Sequence, residues 1–171
     1  MDNQVFTMPL AALCDHIETT HHAGLRKELP RLLILAGEVA REHGGSDGRL
    51  KELRDVLDEF ASELQDHMLK EERILFPAIR ALEQGESLPD FHCGSLAHPM
   101  AKMANEHEDA SLMLMQMSLL ADGFEPPGWA GPSHRALFAG LLDLTSSLRI
   151  HIDEEERALF PRAREMANDR V

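Results

Sequence analysis

His67 to Leu82 reads HMLKEERILFPAIRAL, and His151 to Met166 reads HIDEEERALFPRAREM. The two strings share the frame H-x-x-x-E-E-R-x-L-F-P-x-x-R at an offset of 84 residues, with eight of sixteen positions identical. So long a match in a chain of 171 residues marks an internal repeat. Each copy closes a long stretch with apolar residues at helical spacing: Leu53, Val56, Leu57, Phe60, Leu64 and Ile74 before and within the first, Leu148, Ala158 and Leu159 around the second. The repeated element is therefore a helix, and the repeat sets the plan of the whole chain.

Across the chain, four helical patterns are separated by three stretches rich in helix breakers. The first runs from about Pro9 to Glu42, with Leu25, Leu29, Leu32, Leu33 and Ala36 on one face and Pro30 predicting a bend. The second spans about Arg49 to Leu82, the third about Ala97 to Ala121, and the fourth Ser133, read as its N-cap, to about Ala167. Short or moderate connections between four such helices predict an all-α fold, an antiparallel up-down-up-down four-helix bundle. The repeat makes it two helical hairpins about a pseudo-two-fold axis, the second helix matching the fourth and the first matching the third. One domain over residues 1–171 is expected.

Composition agrees and excludes. Leu, Ala, Glu, Arg and Met, all good helix formers, dominate, and there is no Tyr. Thirty acidic against 17 basic residues give a formal charge of -13, the wrong sign for neutralising the phosphates of a nucleic acid or an anionic membrane. No apolar run approaches the roughly 18 residues needed to span a bilayer. Met1 to Leu10 has neither a basic n-region nor a real h-region, so no secretory leader is expected. Two cysteines, Cys14 and Cys93, suit a reducing cytoplasm better than a disulfide scaffold.

Ten histidines are the anomaly. Residues four apart share a helix face, so His67 points with Glu71 and His151 with Glu155, each pair on the apolar stripe. Buried carboxylates need a cation or a metal ion to persist. The repeat then nominates partners on the other hairpin arms: His22 plus 85 is His107, and both lie on apolar stripes. Heights agree as well, since His22 stands 24 residues before Ser46 and His67 stands 21 after it. Four histidines and two glutamates thus meet in one layer. Such a set serves two metal ions, each with two imidazoles and both carboxylates bridging. Mixed nitrogen and oxygen donors favour iron or manganese, allow zinc, and disfavour calcium and magnesium.

The segments HHAGLRKELPRLLILA (His21 to Ala36), HMLKEERILFP (His67 to Pro77), EHEDA (Glu106 to Ala110) and HIDEEERALFPRA (His151 to Ala163) carry a family likeness. Through them the chain resembles the hemerythrin-like HHE cation-binding domains, and is most similar to the repair-of-iron-centres branch, di-iron proteins of nitrosative and oxidative stress. The resemblance implies His22, His67, Glu71, His107, His151 and Glu155 as ligands of two Fe ions in an oxo- or hydroxo-bridged centre. It also implies small diatomic ligands, O2 or NO, and iron–sulfur proteins as recipients of repair. Two departures bear on that function. The short N-terminal domain with adjacent cysteines found in full-length members of the branch is expected to be lacking, and Ser111 stands where oxygen-carrying hemerythrins place a further histidine. Two functions stay open: repair of, or iron donation to, iron–sulfur clusters, and non-catalytic binding, sensing or storage of O2 or iron. The residues do not decide whether there is turnover, nor the oligomeric state, for which a monomer suffices.

The other histidines are set apart. His43 lies 21 residues from His22, about 31 Å along a helix, and is left out of the site. His21 is either an alternative first ligand or part of a route to the centre, and His16, His92, His98 and His134 are read as surface or loop residues. Glu18, one turn before His22, is a candidate to orient that imidazole. The methionines of the third helix, Met100, Met103, Met113, Met115 and Met117, are read as core, and Cys93 as a loop thiol with nothing nearby to activate it.

Overall fold

The computed structural model describes residues 3–86 and 96–169, and every regular element among them is helical, as the four-helix-bundle class requires. The α-helices are α1 (Leu10–His16), α2 (Ala23–His43), α3 (Arg49–Lys70), α4 (Phe76–Gln84), α5 (Ala97–Leu120), α6 (Pro132–Glu154) and α7 (Phe160–Asn168). The expected first helix is α1 and α2 joined by a π-helical segment, Ile17–His22. The second is α3 and α4 joined by Glu71–Leu75, and the fourth is α6 and α7 joined by Glu155–Leu159. Pro30 lies inside α2, and the departure from α-helical hydrogen bonding falls earlier, on the turn that carries His21 and His22. Two of the π segments are related by the same 84 residues as the sequence repeat.

These segments correct the helical pattern. Ile74, assigned to the apolar face, is 51% exposed, while Leu75 is buried. A π turn is wider than an α turn and slips the register of the helix beyond it, so the inward position passes from Ile74 to Leu75. Ser133 is the second residue of α6 rather than its cap, and its hydroxyl donates to Glu38 Oε2 at 3.0 Å. At the other end of the chain, the first two amides of α1, Leu10 and Ala11, donate to the two oxygens of Glu83 at 2.7 and 2.8 Å. That carboxylate satisfies two otherwise unpaired helix-end donors and complements the positive end of the helix dipole.

Contacts divide the chain into two compact units. One comprises residues 1–23, 66–107 and 148–171, and the other residues 24–65 and 108–147. The first has its own apolar core, built around Leu10, Leu13, Ile17, Phe76, Ile79 and Phe160. Cys14 is buried there, and burial pushes its thiol up to about 12, which makes it inert at neutral pH. The second unit buries Leu29, Leu32, Leu53, Leu57, Phe60 and Leu141. It also buries His134, only 2% exposed, with neither ring nitrogen hydrogen-bonded and with Phe138, Trp129 and His43 around its ring. His134 is therefore a core residue and not the surface residue expected, because its ring packs as an aromatic. His98 is exposed as expected, and His92 and Cys93 lie outside the described residues. Among the described residues no helix is long and apolar enough to cross a membrane.

Candidate metal centre

All six residues selected from the repeat lie in the first unit and are buried, with Glu71 and Glu155 at 0% exposure. They form two groups. His22 and His151 share one with Glu71 and Glu155; His67 and His107 share the other with the same two carboxylates. In each group one nitrogen or oxygen per residue lies within 4.8 Å of all the others. The 84-residue repeat explains the sharing. Each glutamate opens a π segment four residues after its histidine, so both carboxylates enter the same layer from opposite copies.

The imidazoles are held from behind. His22 donates through Nδ1 to Glu72 Oε1 at 2.8 Å, His107 to Glu156 Oε1 at 3.0 Å, and His67 to Glu106 Oε2 at 3.0 Å. Phe76 stacks on His22 and Phe160 on His107, at ring-centroid distances of 5.8 and 6.1 Å. The repeated E-E and L-F-P of the motif thus serve two tasks: the first glutamate faces the centre, while the second glutamate and the phenylalanine fix an imidazole from the other arm. With Nδ1 engaged, each ring turns Nε2 inward, the tautomer a metal ligand requires.

Inside, the geometry asks for positive charge. Glu71 Oε2 lies 3.3 Å from His22 Nε2 and 3.4 Å from His67 Nε2, yet neither Glu71 oxygen makes a hydrogen bond, nor does His22 Nε2 or His151 Nδ1. His107 Nε2 is 3.0 Å from Glu155 Oε2 and 3.1 Å from His67 Nε2, and His151 Nε2 is 2.9 Å from Glu155 Oε1. Orphaned buried carboxylate and imidazole atoms that face one another cost several kcal/mol unless cations sit between them. The donor set therefore fits a pair of metal ions.

The ionisation of the centre says the same. Burial works against protonating His67, but the nearby negative charge of Glu71 overcomes it and raises the pKa to about 9. His22 and His107 are likewise raised against burial, by Glu71 and Glu155 respectively. Burial opposes ionisation of Glu155, yet His151 and His107 hold it well below the ordinary carboxylate range. Protons and metal ions compete for the same nitrogen lone pairs, so metal uptake releases protons.

Three other residues lie outside the two central groups. Glu18, the candidate to orient His22, pairs with Arg80 at 2.8 Å, and Glu72 takes its place. A residue 50 positions away in sequence left no local signal beyond its membership of the repeated E-E. His43, excluded by distance along the helix, belongs to the second unit. His21 joins neither central group; it bonds Glu154 and stacks on His151 with centroids 5.2 Å apart.

Comparison with known proteins identifies a family. Residues 15–163 match the family described as Hemerythrin HHE cation binding domain. An iron-sulfur cluster repair protein YtfE from Edwardsiella ictaluri is 41% identical over 156 residues, which cover 91% of this chain and 66% of that protein. Proteins of the same name from Cronobacter sakazakii and Escherichia coli O157:H7 are each 36% identical, again over 91% of this chain and 66% of the relative. The chain thus spans slightly less than two thirds of the length of these curated relatives.

Proposed function

This chain belongs to the hemerythrin HHE cation-binding family, and from that premise we propose that it is a non-haem di-iron protein of the nitrosative and oxidative stress response. The observation that carries the reading is the pair of buried groups that share both Glu71 and Glu155. His22 and His151 would hold one ion, His67 and His107 the other, and the two carboxylates would bridge them. Imidazole with carboxylate suits iron among the first-row metals, and the similar proteins are named for iron-sulfur cluster repair.

When bound, two irons supply reversible one-electron chemistry and affinity for NO or O2. The protein's own residues do the rest. Glu72, Glu106 and Glu156 keep the imidazoles of His22, His67 and His107 in one tautomer and one orientation, and Phe76 and Phe160 exclude water from two of those rings. Release of iron toward a damaged cluster would be favoured by reprotonation of His22, His67 and His107, each of which recovers a proton readily beside its carboxylate.

Elemental analysis of untagged protein from iron-replete cells tests the reading, with close to two irons per chain expected. One metal or none per chain overturns it. On the loaded protein, titration with NO and with O2 separates the two roles. Iron delivery to an apo iron–sulfur protein supports repair, whereas stoichiometric binding with no ligand consumed and no iron delivered supports sensing or storage.

A further inference from the structure

The repeat that makes the centre symmetric breaks beside it. An offset of 84 relates Lys70 to Glu154, and an offset of 85 relates His21 to Glu106. Next to His67, Glu106 is countered by Lys70 Nζ at 2.6 Å and Lys102 Nζ at 3.4 Å. Next to His151 the signs are exchanged: the carboxylate comes from Glu154 and the position facing it is His21. No lysine or arginine is paired with Glu154 among the described residues. This carboxylate is 4% exposed, and the cation that its counterpart receives from two ammonium groups has no equivalent among the described residues.

Two imidazoles converge on it. His21 Nε2 is 3.0 Å and His16 Nε2 3.2 Å from the same oxygen, Glu154 Oε2. The rings stand edge to face at 5.6 Å, with Thr20 Oγ1 3.4 Å from His16 Nδ1, and His21 lies flat against His151. All three donor atoms lie within 4.8 Å of one another. An ion held about 2.1 Å from nitrogen and oxygen ligands separates them by about 3 to 3.5 Å, so the spacing needs little adjustment. Two histidines and one carboxylate are a set that binds zinc and iron(II).

We propose that His16, His21 and Glu154 form a third cation site, separate from the two groups that share Glu71 and Glu155, which takes one first-row divalent ion. Three protein ligands leave further positions for water. His16, whose side chain is 34% exposed, gives the ion access to solvent that the central residues lack. The site is independent of which metal fills the central pair.

The test is anaerobic cobalt(II) loading of chelator-stripped full chain, dialysed to constant free cobalt and read by elemental analysis and visible absorption. The wild type binds one cobalt more than His16→Gln and one more than Glu154→Gln, and the lost ion takes its share of the absorption with it. Equal cobalt counts in all three proteins overturn the proposal. His16→Gln alters a partly exposed side chain and carries the test if Glu154→Gln fails to fold. Glu71→Gln keeps this proposal distinguishable from the reading of the central pair. If the central pair binds nothing, Glu71→Gln leaves the count unchanged while His16→Gln still removes one ion.

Discussion

The two compact units of this chain bury different chemistry. The unit formed by residues 24–65 and 108–147 buries aliphatic and aromatic side chains, with His134 its one buried polar or charged residue among those described. The unit formed by residues 1–23, 66–107 and 148–171 buries six further histidines and glutamates of the centre together with His21 and Glu154, and contains all three described π segments. The long helices of the former keep to α geometry, while in the latter His22, Glu71 and Glu155 lie on π segments and His67, His107 and His151 on regular α-helix. The difference separates stability from function, and it can be broken by experiment.

The largest effect is expected from Glu71→Ala. Removing one carboxylate shared by both groups leaves buried imidazoles without their counter-charge, a loss of about 3–5 kcal/mol, and abolishes metal binding at the central pair. Metal content and thermal unfolding should fall together, since binding and folding are linked; retention of both would remove the bridging role. Phe60→Ala in the other unit should cost a comparable 3–5 kcal/mol by opening a cavity, yet leave the metal content of the folded protein unchanged. Metal loss from that variant would show that the division between the units is not functional.

A third test uses pH on metal-free protein. The pKa of His67 is raised from 6.5 to about 9 in the folded state, so its contribution, on the order of 3 kcal/mol, is fully present below pH 6.5. It is lost as the pH rises through about 9, so denaturant midpoints should fall over that window. Glu155, held below its ordinary range, has the opposite sign: its contribution is present above about pH 4.5 and fades as the pH falls through its folded pKa. Bound metal should flatten the alkaline limb, because the nitrogens it occupies no longer titrate. The smallest effect belongs to the carboxylates behind the rings. Glu72→Gln and Glu156→Gln should weaken metal affinity by about 10–100-fold without emptying the centre at saturating metal, measured by competition with a chelator.

Much of this architecture was legible because the decisive relations are local or repeated. His67 with Glu71 and His151 with Glu155 are one-turn neighbours, and the 84-residue repeat carried the pattern to His22 and His107. What lay outside a local reading has physical causes. Glu72, Glu106 and Glu156 reach imidazoles 50, 39 and 49 residues away, contacts that no helical wheel displays. Glu18 is the local candidate because it stands one turn before His22, but the Arg80 guanidinium claims it. Ile74 was assigned to the core because the pattern assumed an uninterrupted α turn. His134 was placed at the surface on residue type alone, although imidazole packs readily among rings such as Phe138 and Trp129.

The π segment at Glu71–Leu75 has a consequence for how this sequence can vary. A wide turn is in effect an inserted residue that the helix absorbs without breaking, and it uncouples the two faces on either side of it. Deleting Arg73, an exposed residue, would restore an ordinary α turn with almost no change in composition. Because the helix beyond has already absorbed the extra residue, Phe76, Ile79 and Leu82 would keep the core positions they now fill, and the change would fall on the turn that presents Glu71. A single-codon deletion here should therefore spare the fold and act on the centre, whereas the same deletion in the regular helix on either side would turn every residue beyond it by about 100°.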